Sequence, residues 1–204
     1  MSDFTFEYRE SKENCLNIYE KYEWDNIWIE YANTANKRRI AYIGDSISCG
    51  IRELITKRTN EEILCDGFGT SKAVDNPFFE KGIELFVAQL PEVTDIIFNS
   101  GLHGWHLSED AFERYYDAKV AFMKRKFSSA RLFIVLTTAL LDKKNNERVI
   151  LRNEASLRVA TKYNLPVIDL YSITLANPDK YLDDGIHLKN ELYETLADEI
   201  ISNI

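Results

Sequence analysis

The sequence predicts an α/β fold in which helices cover both faces of a parallel β-sheet. From residue 38 onward, short apolar stretches alternate with longer stretches in which apolar residues recur every three or four positions. The first pattern is typical of buried strands and the second of amphipathic helices, and their alternation favours a parallel sheet with crossover helices. The predicted strands are 40–43, 63–66, 95–99, 132–137 and 167–170, and the predicted helices are 47–58, 79–90, 109–127, 147–164 and 188–203.

The predicted elements carry local signals of their own. Ile47, Ile51 and Ile55 recur at helical spacing in the first helix, and Ser108 can cap the N-terminus of the third. Five strands separated by such helices fit a three-layer α/β/α sandwich with a five-stranded parallel sheet in the order 2-1-3-4-5. The last helix carries one apolar stripe, formed by Leu188, Leu192, Leu196, Ala197, Ile200 and Ile201.

The first 37 residues precede the alternating pattern. They are predicted to form an N-terminal extension packed on the main domain, which spans residues 38–204. Trp24 and Trp28 are four positions apart, which places them on one face if the segment is helical. The overlapping stretch Ile27-Trp28-Ile29 fits a short strand equally well, so both interpretations stay open at this point.

The composition favours one globular domain and argues against nucleic-acid binding. The chain has 204 residues, of which 45% are hydrophobic, and this is enough for one domain with a sizeable core. Its formal net charge is −8, and its longest basic run is Lys124-Arg125-Lys126. Phosphate binding needs clustered basic side chains, so no nucleic-acid partner is expected.

Cysteine content and the lack of long apolar segments predict a cytoplasmic location. The chain has an odd number of cysteines at irregular spacing, namely Cys15, Cys49 and Cys65. This pattern is typical of free thiols in a reducing compartment. The first ten residues have neither the basic nor the apolar region of a signal peptide. The longest apolar stretch, 132–141, is too short to span a bilayer, so no membrane partner is expected.

A serine follows the first predicted strand where the chain turns into a helix. The turn is Gly44-Asp45-Ser46, and helical spacing begins at Ile47. In an open α/β sheet, ligands bind at the carboxyl ends of the strands. A helix N-terminus also supplies unpaired N–H groups that can stabilise an oxyanion. Ser46 is therefore a candidate nucleophile, and the alternative is that it only caps the helix.

A second motif near the C-terminus places a carboxylate and an imidazole three positions apart. Asp184-Gly185-Ile186-His187 comes just before the last amphipathic helix. A serine hydroxyl is a weak nucleophile that needs a base within hydrogen-bond distance, and the base needs a third group to fix its tautomer. Ser46, His187 and Asp184 are candidates for these three roles.

Together, the two motifs resemble those of the SGNH (GDSL) hydrolase superfamily. Its first sequence block is G-D-S and its last is D-x-x-H, and both occur here at the expected ends of the main domain. The resemblance implies the flavodoxin-like strand order 2-1-3-4-5 and a catalytic triad of Ser46, His187 and Asp184. It also implies an oxyanion hole that combines the Ser46 N–H with donors from two further blocks.

The second block lies within residues 66–71, after the second predicted strand. Its two glycines let the backbone approach a ligand closely. The resemblance implies that a glycine here donates its N–H to the oxyanion, and Gly69 is the candidate. A different register would give this role to Ser71, and an ordinary glycine-containing turn is the remaining alternative.

The third block departs from the family pattern. The family has G-x-N-D, in which the asparagine side chain donates to the oxyanion, whereas this chain has Gly101-Leu102-His103-Gly104. A histidine N–H can also donate to an oxyanion, so His103 is the expected donor. Asn99 at the end of the third strand is the alternative donor. A purely structural His103 with an incomplete oxyanion hole is the third interpretation.

No metal and no cofactor are expected. His103 and His106 lie in a loop without a nearby carboxylate, unlike helix-borne zinc motifs. The paired glycines of the second block lack the rest of a dinucleotide fingerprint. Asp45, Ser71 and Trp105 lie in the three blocks near the predicted crevice, and we expect them to contact the substrate.

These features predict a serine esterase that acts on a small-molecule or carbohydrate ester. A short acyl chain is expected, as in an O-acetylated carbohydrate, because the loops contain no long apolar groove. One alternative is a lysophospholipase or thioesterase with the same fold. The other is a non-catalytic carbohydrate-binding domain that kept the fold while its third block diverged.

Overall fold

The structure is organised around a six-stranded mixed β-sheet. The computed structural model describes residues 19–204, and the first 18 residues, which include Cys15 and half of the predicted extension, lie outside the described residues. The strands run in the order β1-β3-β2-β4-β5-β6, with β1 antiparallel to β3 and all other neighbours parallel. Their bounds are Asp25–Trp28 (β1), Arg38–Gly44 (β2), Ile63–Thr70 (β3), Asp95–Phe98 (β4), Arg131–Val135 (β5) and Val167–Ile168 (β6).

The predicted α/β architecture is confirmed, but the predicted sheet was wrong in one respect. The five predicted strands correspond to β2 to β6, and these lie in the order 2-1-3-4-5 relative to one another. A sixth strand, β1, comes from the N-terminal extension and pairs antiparallel with the outer side of β3. The sequence did not decide between a helix and a strand for this segment. Its four residues, whose side chains are mostly exposed, show no alternation of polar and apolar positions.

Helices connect the parallel strands. Their bounds are Ser46–Arg58 (α1), Phe79–Val87 (α2), Glu109–Lys126 (α3), Lys143–Tyr163 (α4), Leu170–Leu175 (α5) and Asn190–Asn203 (α6). Helix α4 begins earlier than predicted because Asp142 caps it by accepting the Asn145 N–H at 2.8 Å. Within residues 19–204, no helix is both long and apolar enough to cross a bilayer.

Alternate residues of the central strand β2 belong to two different hydrophobic clusters. Ala41 and Ile43 pack in one cluster with side chains of α2, α3 and α4. Ile40 and Tyr42 pack in the other with side chains of α1 and α6. Because a strand directs successive side chains to opposite faces, the sheet is buried between two helical layers.

The buried side chain of Arg39 attaches the extension to the sheet. Its guanidinium donates to both carboxylate oxygens of Asp66, at 2.9 and 3.0 Å, and to the main-chain oxygens of Glu30, Tyr31 and Thr34. Neither side chain of the ion pair is more than 2% exposed. Burial raises the pKa of Asp66, although the Arg39 hydrogen bond acts to lower it. The turn that follows β1 is thereby fixed on β2 and β3.

We expect Arg39→Met to lower the free energy of unfolding by about 3–5 kcal/mol, because Asp66 would stay buried without its charged partner. Arg38→Met is the matched control at the neighbouring position. Arg38 is about one third exposed, and its partner Asp95 also pairs with Arg131, so the loss should be about 1 kcal/mol or less. Urea unfolding measures both values, and equal losses would contradict the assigned role of Arg39.

Candidate active site

Three side chains from distant parts of the sequence form one hydrogen-bonded chain at the carboxyl edge of the sheet. His187 Nε2 lies 2.9 Å from Ser46 Oγ, and His187 Nδ1 lies 2.6 Å from Asp184 Oδ2. Since an ionised carboxylate only accepts, Nδ1 carries the hydrogen and Nε2 is left as the acceptor for the Ser46 hydroxyl. This arrangement allows His187 to take a proton from Ser46.

The turn between β2 and α1 presents Ser46. A Cβ on Gly44 would lie 2.7 Å from the Cβ of Ser48, so the helix can begin this close to the strand only if residue 44 is glycine. Asp45 is the N-cap, and its Oδ1 accepts the Ile47 N–H at 2.9 Å. Ser46 is the first residue of α1, where backbone N–H groups have no partner within the helix.

A tight loop before α6 presents Asp184 and His187. Gly185 has a φ of +69°, a conformation that favours glycine, and makes the turn between them. Asp184 Oδ1 accepts the N–H groups of Ile186 and His187, both at 2.9 Å. Burial acts to raise the pKa of Asp184, but the hydrogen bonds from His187 and the backbone outweigh it and hold the pKa below its usual value. The carboxylate is therefore ionised where it faces the imidazole.

His103 follows β4, the neighbour of β2, and lies at the same edge of the sheet. Its ring is buried, and Nδ1 lies 2.9 Å from Glu20 Oε1, which also accepts the Gly104 N–H at 3.3 Å. Burial acts to lower the pKa of His103. The hydrogen bond and charge of Glu20, with the charges of Asp45 and Glu23, outweigh this effect and raise the pKa above its ordinary value.

The backbone of the His103 loop is held by Arg152 of α4. Its fully buried guanidinium donates to the main-chain oxygens of Gly101, His103 and Gly104 at 2.8, 2.7 and 2.7 Å. Its Nε also donates to Glu109 at 3.2 Å. Burial lowers the pKa of Arg152 to about 10, although Glu109 acts in the opposite direction. Arg152 thus stays charged at neutral pH and fixes the loop backbone at three main-chain oxygens.

Asn99, the alternative oxyanion donor, directs its amide along the sheet. Its Nδ2 lies 3.4 Å from the main-chain oxygen of Val135 and 3.2 Å from Thr137 Oγ1, both at the end of β5. The side chain is also buried. Its donor hydrogens therefore join β4 to β5 and do not converge on Ser46.

Gly69 lies opposite Asn26 in the ladder between β3 and β1. Two residues further on, Ser71 donates its N–H to the main-chain oxygen of Trp24 at 3.1 Å. Because hydrogen-bonded pairs alternate along an antiparallel ladder, the Gly69 N–H is also directed at β1. A Cβ at this position would lie 2.2 Å from Cys49 Sγ, so a glycine is needed for α1 to pack on β3.

The three side chains expected to contact the substrate are packed against other parts of the protein. Asp45 is 3% exposed, and burial raises its pKa. Ser71 is fully buried, and its Oγ accepts the Trp24 N–H at 2.9 Å. Trp105 is partly exposed, with two guanidinium groups of α4 lying 4.5 and 5.2 Å from the centre of its ring. Contact of these three side chains with the substrate stays a prediction.

Sequence reasoning missed two residues of this region, Glu20 and Arg152. Glu20 lies in the extension, where no motif points to it. Arg152 did carry a signal, because it lies three residues after Val149 and four before Ser156, on the buried face of α4. A charged residue in such a stripe needs buried partners. Among residues 19–204, no three His, Cys, Asp or Glu side chains form a group that could hold a metal ion.

Solved structures identify the fold, although no protein-family model matches the sequence and no curated protein is similar to it. A lipase/acylhydrolase from Enterococcus faecalis superposes with a TM-score of 0.63 at 18% identity, covering 81% of this chain and 94% of its own. A member of the lipolytic G-D-S-L family from Veillonella parvula gives 0.65 at 16% identity, with 81% and 97% covered. The chain has the SGNH (GDSL) hydrolase fold. An acetyl xylan esterase superposes equally well, with a TM-score of 0.65 at 18% identity and 81% and 99% covered.

We expect Gly69→Ala to destabilise the protein by about 1–3 kcal/mol, because the new methyl group would overlap Cys49 Sγ. Cys49→Ala removes that sulfur and serves as the control. The double variant should therefore be more stable than Gly69→Ala alone, which thermal and urea unfolding can measure. A double variant that loses the sum of the two single losses would contradict the packing of α1 on β3.

Proposed function

We propose that this chain is a serine esterase that hydrolyses short-chain esters through a covalent acyl-enzyme. The observation that carries the proposal is the hydrogen-bonded chain from Ser46 through His187 to Asp184, with distances of 2.9 and 2.6 Å. A nucleophile, a base and a group that orients the base are the three parts that acyl transfer requires. The SGNH hydrolase fold supports the same activity, because it places these residues at the edge of the sheet where ligands bind.

The proposed reaction has two halves. Ser46 Oγ attacks the ester carbonyl while its proton passes to His187 Nε2, and the ionised Asp184 stabilises the imidazolium that forms. The bond to the leaving oxygen then breaks, and His187 gives its proton to the departing alcohol. Water attacks the acyl-Ser46 ester with His187 as base, which releases the carboxylic acid and restores the serine.

Ser46 and His103 are the proposed sources of oxyanion stabilisation. The Ser46 N–H is at the positive end of α1, where a developing anion is favoured. His103 lies in the loop after the neighbouring strand, and its charge acts on Asp45, the residue before Ser46. Gly69 and Asn99 were also candidates, but their donor hydrogens are directed into the sheet.

The proposed substrates are O-acetyl esters and other short-chain esters, with O-acetylated carbohydrates as the leading class. The described surroundings of His103 are polar, since Glu20 and Glu23 lie there beside Trp24. Such a wall suits a substrate with hydroxyl groups better than a long acyl chain. One of the structures with this fold is an acetyl xylan esterase, which agrees with this choice.

Ser46→Ala should abolish labelling by a fluorophosphonate and lower hydrolysis of 4-nitrophenyl acetate by about 10⁴-fold or more, because members of a triad act as a unit. His187→Ala should lose a similar amount. Ser48→Ala is the matched control, since Ser48 lies two positions along α1 and its hydroxyl donates to a backbone oxygen. Intact-mass analysis should find one adduct in the control. An adduct that persists in Ser46→Ala would mean that another residue is the nucleophile.

His103→Ala should lower kcat by about 10²–10³-fold with little change in KM, because an oxyanion donor acts mainly in the transition state. His103→Asn should recover part of the rate, since an amide N–H can also donate. Steady-state kinetics and a melting curve are measured on both variants. If His103 has only a structural role, alanine will lower the melting temperature while the folded fraction keeps its kcat.

A further inference from the structure

Glu20 contacts both the ring and the backbone of the His103 loop. One carboxylate oxygen, Oε1, lies 2.9 Å from His103 Nδ1 and 3.3 Å from the backbone nitrogen of Gly104. The Glu20 N–H in turn donates to Glu23 Oε1 at 2.9 Å, which fixes the segment next to the ring. These residues are separated by more than 80 positions, so the contact exists only because the extension folds onto the site.

Among residues 19–204, the charges that act on His103 are mainly negative. Glu20 and Glu23 face it from the extension, and Asp45 faces it from the turn before α1. Arg152 of α4 binds the main-chain oxygen of His103. Three carboxylates therefore face one imidazole in a buried setting, where charge interactions are stronger than in water. Only Glu20 among the three makes a hydrogen bond to a ring nitrogen.

We propose that Glu20 is a positioning residue that acts through His103, keeping the imidazole protonated and fixed so that its positive charge stabilises the oxyanion formed at Ser46. This inference rests on the proposed esterase function and extends it to a residue outside the SGNH motifs. A neutral amide supplies one dipole in the family pattern of the third block, whereas this pair supplies a full positive charge. Glu20 does not touch the substrate carbonyl and is not a catalytic residue in this account.

The ring of His103 lies near the turn that carries Ser46. Its centre is 6.3 Å from the centre of the Trp24 ring, and a Cβ on Gly69 would lie 3.4 Å from both Trp24 Cζ3 and the main-chain oxygen of Asp45. Burial raises the pKa of Asp45, and the charge of His103 is the largest influence that opposes this rise. The turn that carries Ser46 therefore contacts His187, which accepts the serine proton in the proposed reaction, and lies within range of the charge of His103, which remains cationic. Arg152 fixes the backbone of His103, and Glu20 fixes its ring.

Glu20→Gln tests the proposal, because glutamine keeps the size and an acceptor oxygen but removes the charge. Without that charge, His103 should lose its proton at lower pH. The alkaline limb of kcat against pH should move to lower pH, and kcat there should fall by about 10- to 100-fold with little change in KM. NMR of the imidazole nitrogens should show the same direction of change, and assignment is simple because the chain has three histidines.

Glu23→Gln is the matched control, since Glu23 lies in the same segment but its carboxylate contacts Ser71. It should move the pH profile less than Glu20→Gln does. Equal shifts for the two variants, or a Glu20→Gln profile that superposes on that of the unchanged protein, would overturn the inference. So would a lower melting temperature with kcat of the folded fraction unchanged.

The proposed function is tested separately, in the unchanged protein. If the unchanged protein takes the fluorophosphonate label and hydrolyses the ester while Glu20→Gln behaves identically, the inference alone is overturned. If the unchanged protein neither takes the label nor hydrolyses esters, the esterase function fails and the inference fails with it.

Discussion

The hydrogen bond between Ser46 and His187 depends on the packing of the whole domain. The two residues are 141 positions apart, one at the start of α1 and the other just before α6. Packing between these helices fixes the distance. Gly50 leaves room for the Tyr193 ring, since a Cβ there would lie 2.6 Å from it, and Arg58 pairs with Asp198 at the far end. A change in the packing of α1 on α6 would therefore alter the distance between Ser46, the proposed nucleophile, and His187.

The part of the site that depends on local sequence could be predicted. A glycine-containing turn between a buried strand and a helix indicates Ser46 as a candidate nucleophile. A D-x-x-H segment before an amphipathic helix indicates Asp184 and His187 as its candidate partners. The topology of a parallel sheet then brings both motifs to one edge. The structure places these three side chains within hydrogen-bond distance of one another.

The part that depends on long-range pairing could not be predicted. Strand β1 is short, and nothing in its sequence specifies β3 as its partner. The pairing of β1 with β3 decides where the Gly69 N–H points. The motif alone therefore could not show whether this N–H is free to bind an oxyanion or is directed at β1 within the sheet. Glu20 illustrates the same limit, because an acidic residue in a polar segment carries no sign that it will meet His103.

The extension connects these observations. Arg39 fixes the turn after β1, β1 covers the outer side of β3, and the segment before it places Glu20 beside His103. The SGNH fold supplies the proposed nucleophile and its proposed base, whereas the extension supplies Glu20 and Glu23, two of the three carboxylates that face His103 in the diverged third block. In this account the electrostatics of the site come from both parts of the chain.

The most direct test of the central claim is a crystal structure of the protein after reaction with a phosphonate ester. The phosphorus atom should be bonded to Ser46 Oγ, with His187 Nε2 within hydrogen-bond distance of that oxygen. The phosphonyl oxygen should face the Ser46 N–H and the ring of His103. Phosphorus bonded to any other residue, or a phosphonyl oxygen that points to solvent away from both groups, would contradict it.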